Sequence, residues 1–153
     1  MDDRPAPERR RTLGALLRLP YEALQQEVYG GLAAHGFPEI RPAHSAVFRH
    51  IATGGSRLTA LAERAGMTKQ SMAYLVEALE AAGHLRSAPD PADGRARLVR
   101  LTPRGERVLA RLIALSAEAE ARVAARLGPR RAAQLRRALE HWVTALETEQ
   151  GRG

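Results

Sequence analysis

The 153-residue chain carries a formal charge of +7, and 44% of its residues are hydrophobic while 4% are aromatic. This composition is typical of folded rather than disordered proteins, and the length suits one compact unit or half of a dimer. The chain has no cysteine, which excludes disulfides, thiolate metal sites and sensing by cysteine oxidation.

The first twenty residues place adjacent arginines before a short apolar run, in the manner of an export signal. Arg18 and Pro20 cut this run too short for a signal core or a membrane span. We therefore expect a cytoplasmic protein without a membrane partner. Its basic charge modestly favours a polyanionic partner such as nucleic acid.

Alanine, leucine, arginine and glutamate recur at helical spacing, so the chain is predicted to be mostly helical. A first helical region runs from about Arg11 to Ala34, with Gly30 and Gly31 loosening its end. Pro42 fits the first turn of a helix that runs to about Ala52.

A helix-turn-helix pattern follows. Thr59 to Ala65 is predicted to form a short helix, Gly66 lies in the turn, and Thr68 is placed to cap the next helix. Gly83 fits the C-terminal cap of that helix. Its apolar stripe consists of Met72, Leu75, Val76, Leu79 and Ala82, and its outward face carries Lys69, Gln70, Ala73, Tyr74 and Glu77.

After Gly83 the hydrophobic period changes. The segments LRSAP and ARLVRLT are predicted to form two short strands around the turn DPADGR. A helix-turn-helix followed by a basic hairpin is a winged helix. Pro103 then opens a long helix to about Leu127, and a last helix runs from about Arg130 to Glu149.

The segments LTALAERAGMTKQSMAYLVEALEAAGHLRS and DPADGRARLVRLTPRG together resemble the MarR family of winged-helix transcription regulators. They span Leu58 to Gly105. The resemblance implies a mainly α fold with a small β-hairpin wing, in a single unit over residues 1–153. Residues 41–102 would form the winged helix-turn-helix DNA-binding lobe, and residues 11–40 and 103–149 a helical dimerisation region.

The helix that begins after Thr68 is the recognition helix of this pattern. Its outward face suits base edges in a major groove. Lys69 can reach a phosphate or a guanine edge, and Gln70 can pair with adenine. Thr68 can contact phosphate or cap the helix, and Tyr74 can pack on the sugar-phosphate or on a thymine methyl. The family often has serine or threonine at the position of Ala73 and arginine at that of Tyr74, so base readout is expected to differ here.

In the family, the arginine of a D-x-R motif at the wing tip enters the minor groove, and Asp93, Gly94 and Arg95 match that motif. A guanidinium suits a narrow groove, which concentrates negative potential. Asp93 is expected to orient Arg95 because phosphates repel a carboxylate. Arg86 and Arg97 add positive charge and are further candidate DNA contacts. The alternatives are a solvated helix and a solvated hairpin, which the combination of the two elements disfavours.

The terminal helices carry more apolar surface than one lobe of this size buries within itself. The candidate dimer interface consists of Leu109, Leu112, Ile113, Leu135, Leu139, Trp142 and Leu146. A two-fold dimer would set two recognition helices about one DNA turn apart and predicts a palindromic operator. The alternative is that this surface folds into an intramolecular core.

Many members of the family bind small aromatic or phenolic anions. The resemblance implies a candidate ligand pocket of Tyr29, His44 and Phe48, with Arg41 as the partner of a carboxylate. A ligand bound there would act by binding one conformation of the protein more tightly than the other. For His44, a hydrogen-bonded core histidine is the alternative.

The five histidines show no metal-binding spacing, and no phosphate loop, nucleophile elbow or carboxylate pair stands out. The sequence therefore predicts neither an enzyme nor a cofactor. Two functions remain: a dimeric, sequence-specific repressor released by a small ligand, or a winged-helix adaptor for protein interaction with only non-specific DNA binding.

Overall fold

A computed structural model of the protein describes residues 11–151, apart from the side chain of Gln150. The first half of the stretch that resembles an export signal, residues 1–10, lies outside the described residues, as do residues 152 and 153, the end of the predicted single unit.

Six α-helices, one 3-10 turn and a three-stranded antiparallel sheet are found within the described residues. The helices are α1 (Leu13–Ala34), α2 (Ser45–His50), α3 (Leu58–Arg64), α4 (Lys69–Ala81), α5 (Pro103–Leu127) and α6 (Pro129–Gln150), and the 3-10 turn is Pro42–His44. The strands are β1 (Ser56–Arg57), β2 (Leu85–Asp90) and β3 (Asp93–Leu101), in the order β1-β3-β2. The predicted fold class, mainly α with a small β-hairpin, is confirmed.

The chain forms two compact units, one that ends at Leu115 and one that begins at Ser116. The first contains α1 to α4, the sheet and the first half of α5. Its core draws on every one of these parts and includes Leu32, Val47, Phe48, Leu61, Met72, Leu75, Val76, Leu79, Val99 and Val108. The predicted apolar stripe of α4 is therefore buried, except that Ala82 is half-buried.

Helix α1 continues through Gly30 and Gly31 to Ala34, so the prediction that these glycines loosen its end was wrong. At Gly31 the helix passes close to α5. A Cβ at that position would lie 2.8 Å from Cδ2 of Leu115, closer than carbon atoms pack. Gly31 therefore permits close packing between the helices rather than ending one of them.

The helix after Pro42 is shorter and less regular than predicted. Pro42–His44 forms a 3-10 turn, and α2 then ends at His50 rather than near Ala52.

Both ends of α4 are fixed by local hydrogen bonds. Oγ1 of Thr68 accepts a hydrogen bond of 3.1 Å from the backbone N–H of Ser71, which confirms Thr68 as the N-cap. At the other end Gly83 has φ of +78°, and the N–H of His84 donates to the carbonyl of Leu79 at 2.8 Å. This is a Schellman ending, in which glycine is favoured because L side chains resist positive φ.

The hairpin is tighter than the sequence predicted. β2 extends to Asp90 and β3 begins at Asp93, so only Pro91 and Ala92 form the turn. Arg95 therefore lies within β3 rather than in a six-residue turn. β1 was not predicted because a two-residue strand has no period; it pairs with β3 through Ser56 opposite Val99 and Arg57 opposite Leu98.

The second unit contains the end of α5 and all of α6. Arg136 of α6 reaches Glu120 of α5 at 2.5 Å and Glu140 of its own helix at 3.5 Å. Across the described part of the chain, no helix is long and apolar enough to cross a membrane.

Candidate DNA-binding surface

The outward face of α4 is largely exposed. Tyr74 is 74% exposed, an unusual position for an aromatic ring, and Lys69, Gln70 and Glu77 are also exposed. Ala73 beside them is half-buried. Within residues 11–151, the side chains of Lys69, Gln70 and Tyr74 make no hydrogen bond or ion pair. The face is therefore free to bind another molecule.

Thr68 differs from its neighbours because its hydroxyl is already engaged. It accepts from the Ser71 N–H and donates to Oγ of Ser71 at 2.8 Å. Of its two predicted roles, the structure shows the cap.

Arg95 lies at the exposed end of the hairpin. Its backbone N–H donates a hydrogen bond of 3.1 Å to Oδ1 of Asp93. Asp93 thus contacts the backbone of Arg95, and no ion pair joins the two side chains within the described residues. Among residues 11–151, no hydrogen bond or ion pair engages the Arg95 guanidinium.

The other arginines of the hairpin differ in their neighbours: two face each other across the strands, and one lies near a glutamate of α4. Arg86 stands directly opposite Arg100 in the β2–β3 register, and both are exposed. Like charges in facing positions repel and destabilise a hairpin, so this pair favours an anionic partner. Arg97 lies 3.8 Å from Glu80 of α4, yet its side chain is 62% exposed. Arg97 can therefore contact a second molecule and Glu80 of α4, the recognition helix, at the same time.

An ion pair that the sequence did not indicate fastens the hairpin to the start of α3. Nε of Arg57 lies 2.6 Å from Oδ2 of Asp90, and Oδ1 of Asp90 accepts from the backbone N–H of Ala92 at 2.9 Å. The hydrogen bond from Ala92 and that from Arg57 together outweigh burial and lower the pKa of Asp90. In the sequence Asp90 had the appearance of an ordinary turn residue.

A second cluster, also missed, joins the end of α4 to the start of α5. His84 is fully buried and its Nε2 lies 2.7 Å from Oε1 of Glu39, to which Arg104 also donates at 2.8 Å. Burial disfavours the charged form of Glu39, but the hydrogen bonds from Arg104, its own backbone and His84 outweigh this and lower its pKa to about 2. Phe37 packs edge-on to His84 and beneath the Arg104 guanidinium.

The four candidate ligand-pocket residues are in different environments. Phe48 is buried in the core, Arg41 is exposed, and Tyr29 and His44 are half-buried. Burial raises the pKa of Tyr29, against the opposing effects of a hydrogen bond with Ser45 and the charge of Arg49. The ligand pocket stays a prediction.

His44 is hydrogen-bonded within its own turn. Its Nδ1 accepts from the backbone N–H of Arg41 at 3.0 Å. Burial lowers the pKa of His44, and the charges of His84 and Arg41 act in the same direction. The neutral form is therefore favoured, because only a neutral imidazole has a nitrogen that accepts.

The candidate dimer residues are partly or largely exposed. In α5, Leu109 and Leu112 are half-buried and Ile113 is exposed. In α6 the exposed apolar side chains recur at helical spacing and comprise Leu135, Leu139, Trp142, Val143 and Leu146.

Among the described residues, no group of three or more His, Asp or Glu side chains could hold a metal ion.

Comparisons with known proteins agree with this geometry. The model of the MarR family matches residues 39–96, which contain the helix-turn-helix and most of the hairpin. The transcriptional regulator HosA of Escherichia coli O111:H- is 40% identical over 80 residues, which are 52% of this chain and 59% of HosA. The chain thus spans less than two thirds of the length of the curated relatives that it matches.

Solved structures extend the likeness to most of the chain. The PcaV transcriptional regulator from Streptomyces coelicolor is 26% identical with a TM-score of 0.70, over 90% of this chain and 99% of PcaV. PcaV has also been solved in complex with its natural ligand. The transcriptional repressor CouR, solved bound to a 23-mer DNA duplex, is 25% identical with a TM-score of 0.69, over 89% of this chain and 92% of CouR. The hairpin beside the helix-turn-helix is accordingly the wing of a winged helix, and residues 39–96 of the chain match the MarR family.

Proposed function

We propose that the protein is a dimeric, sequence-specific DNA-binding transcription regulator. The observation that carries the proposal is the outward face of α4, on which Lys69, Gln70 and Tyr74 are exposed and have no hydrogen-bond or ion-pair partner in the described part of the chain. An exposed aromatic ring one helical turn beyond a cation and a polar amide has no evident use in a solitary domain. It suits a major groove, in which phosphates, base edges and thymine methyls lie side by side.

The wing supports the same function from a second element. Arg95 presents an unpaired guanidinium at the end of the hairpin, where a narrow minor groove would attract it. The repulsion between Arg86 and Arg100 is relieved if a phosphate lies near the pair. Arg97 can supply a further backbone contact.

Dimerisation follows from the apolar surface of the terminal helices. Trp142 of α6 is 42% exposed and is flanked by exposed leucines at Leu135, Leu139 and Leu146. A surface of this kind favours a partner with the same surface, which a two-fold dimer provides. Such a dimer binds a palindromic operator with one recognition helix in each half-site. Leu109, Leu112 and Ile113 are our candidates for the rest of the interface.

We assign the protein the role of a repressor released by a small aromatic or phenolic anion. Two relatives support this part of the proposal: CouR is a repressor solved bound to DNA, and PcaV was solved in complex with its natural ligand. Tyr29, Arg41, His44 and Phe48 are the candidate ligand contacts. The ligand would have to bind the DNA-free conformation more tightly than the DNA-bound one. We propose the cytoplasm as its location, and a regulator of this kind would need no cofactor.

The test is binding of the purified protein to DNA from its own upstream region, with scrambled DNA as competitor. We expect competitor-resistant binding by a dimer, and loss of about tenfold or more in affinity for Arg95→Ala. Arg126→Ala is the matched control, because it also removes one positive charge and the exposed Arg126 side chain makes no hydrogen bond or ion pair within the described residues.

The competing function is a winged-helix adaptor that binds proteins and holds DNA only non-specifically. Both functions predict affinity that falls steeply with salt, whereas only the regulator predicts a large ratio of specific to non-specific affinity. Equal binding of operator candidates and scrambled DNA, at upstream and unlinked genomic sites alike, would favour the adaptor.

A further inference from the structure

A series of short contacts links the start of the helix-turn-helix to the backbone of Arg95. It begins at Arg57, the last residue of β1 and the residue before α3. Arg57 donates to Oδ2 of Asp90 at 2.6 Å, and Oδ1 of Asp90 accepts from the backbone N–H of Ala92 at 2.9 Å. The next residue, Asp93, accepts from the backbone N–H of Arg95 at 3.1 Å.

Asp90 is unusual in its surroundings. Residues 91–95 and the two residues before Asp90 are all exposed, whereas the Asp90 side chain is only 10% exposed. A buried carboxylate costs free energy unless it is paired and hydrogen-bonded, and Asp90 is both. Its lowered pKa agrees with these contacts. Asp90 is therefore ionised and engaged on both oxygens.

Strand pairing alone does not fix the wing turn. The register between β2 and β3 shifts between Pro89 and Asp90, so the regular ladder is interrupted and the Asp90–Asp93 pair alone lies beyond the shift. The base of the wing is held separately: β3 pairs with β1, and Nε of Arg100 donates to the carbonyl of Gly54 at 3.1 Å. The Arg57–Asp90 ion pair ties this outer end to β1, in addition to the single Asp90–Asp93 strand pair.

We infer that Arg57 and Asp90 are positioning residues for DNA recognition. They hold the wing turn against the helix-turn-helix, so that Arg95 is presented at a fixed offset from the recognition helix. Ordering the wing before binding reduces the conformational entropy lost in the complex. Neither residue touches DNA in this account, which rests on the proposed function.

The Asp90→Asn variant separates positioning from simple electrostatics. It removes a negative charge from a basic surface, and charge alone predicts tighter binding to DNA. Positioning predicts the opposite result, a loss of about fivefold in affinity for the operator. Glu63→Gln makes the same change of charge at an unengaged site on α3 and should keep the wild-type affinity or raise it slightly.

A double variant tests whether Asp90 acts through Arg95. In an Arg95→Ala background, Asp90→Asn should cause no further loss, because the side chain that it positions is gone. Arg57→Gln should behave in the same way, and it provides a second variant if Asp90→Asn unfolds. Additive losses, or unchanged or tighter binding by a folded Asp90→Asn variant, would overturn the inference.

A measurement without DNA distinguishes this inference from the proposed function. In Asp90→Asn, the NMR order parameters of the Ala92 and Arg95 amides should fall while that of Val99, in the paired part of β3, stays high. Unchanged order parameters at Ala92 and Arg95 would also overturn the inference. If the wild type binds operator and scrambled DNA alike, the proposed function fails, and the order parameters still decide whether Asp90 holds the wing.

Discussion

Oε1 of Glu39 lies 2.7 Å from Nε2 of His84, a histidine with no exposed surface at the junction between α4 and β2. The same oxygen accepts from Arg104 in the first turn of α5. One carboxylate therefore joins the end of the recognition helix to the beginning of the long helix. Glu39 and His84 are 45 positions apart in the sequence.

Glu39→Gln is expected to lower the free energy of unfolding at neutral pH by about 1 to 2 kcal/mol, because it weakens two hydrogen bonds from charged or buried donors at a partly exposed site. The pKa of Glu39 in the folded protein is lowered to about 2. Its contribution is therefore fully present above the ordinary glutamate pKa of about 4.3 and is lost as the pH falls through the folded value. Urea unfolding of both proteins across this range measures the effect.

The difference between wild type and Glu39→Gln should shrink as the solution is acidified toward the pKa of the folded state. Glu63→Gln, whose side chain is exposed and unpaired, should match the wild type at each pH. A Glu39→Gln difference that stays constant with pH would mean that the ionised form of Glu39 does not contribute as described.

Thr68→Ala removes the side-chain cap of the recognition helix and is expected to cost about 1 kcal/mol of stability. Thr68→Ser keeps the hydroxyl that accepts from the Ser71 N–H, so this variant should retain most of the stability that the cap contributes. Chemical denaturation compares the three proteins. Equal losses for the alanine and serine variants would show that the methyl group matters more than the cap.

The parts of the fold that follow from local chemistry could be predicted from the sequence. The apolar stripe of α4, from Met72 to Leu79, repeats at helical spacing and is buried. The Thr68 cap and the Gly83 ending depend on one residue type at one position, and both were predicted. The outward residues of α4 followed from the stripe, since the opposite face of a helix must face outward.

The parts that depend on distant residues could not be predicted. The Arg57–Asp90 pair joins residues 33 positions apart, and nothing in either segment indicates the other. The same holds for Glu39 and His84, and for Gly31, whose role became clear only when Leu115 was seen beside it. Strand β1 could not be predicted because its two residues form a strand only through their pairing with β3.

Lys69→Ala tests which of two groups on DNA the only lysine of the chain contacts. If Lys69 binds a phosphate, its loss should weaken binding alike for all sequences and reduce the slope of log affinity against log salt by about 1. If Lys69 binds a guanine edge, its removal should lower affinity for the operator much more than affinity for scrambled DNA. Fluorescence titration at several salt concentrations, with operator and scrambled DNA, separates the two.

The control for Lys69→Ala is Arg126→Ala, which removes one positive charge from the second unit. Its side chain is exposed and makes no contact within the described residues. We expect it to leave the salt slope unchanged. If neither the slope nor the operator affinity responds to Lys69→Ala, the outward face of α4 does not contact DNA at its N-terminal end.

Leu139→Glu places a carboxylate in the exposed apolar row of α6 and tests the proposed dimer. Burial of an unpaired charge in an interface is strongly unfavourable, so we expect a monomer by analytical ultracentrifugation. Because each half-site would then be bound separately, affinity for the full palindrome should fall by about two orders of magnitude or more, toward that for a half-site. Gln134→Glu, an exposed residue outside the apolar row, introduces the same charge and should remain dimeric. A Leu139→Glu variant that sediments as a dimer would place the interface elsewhere in the chain.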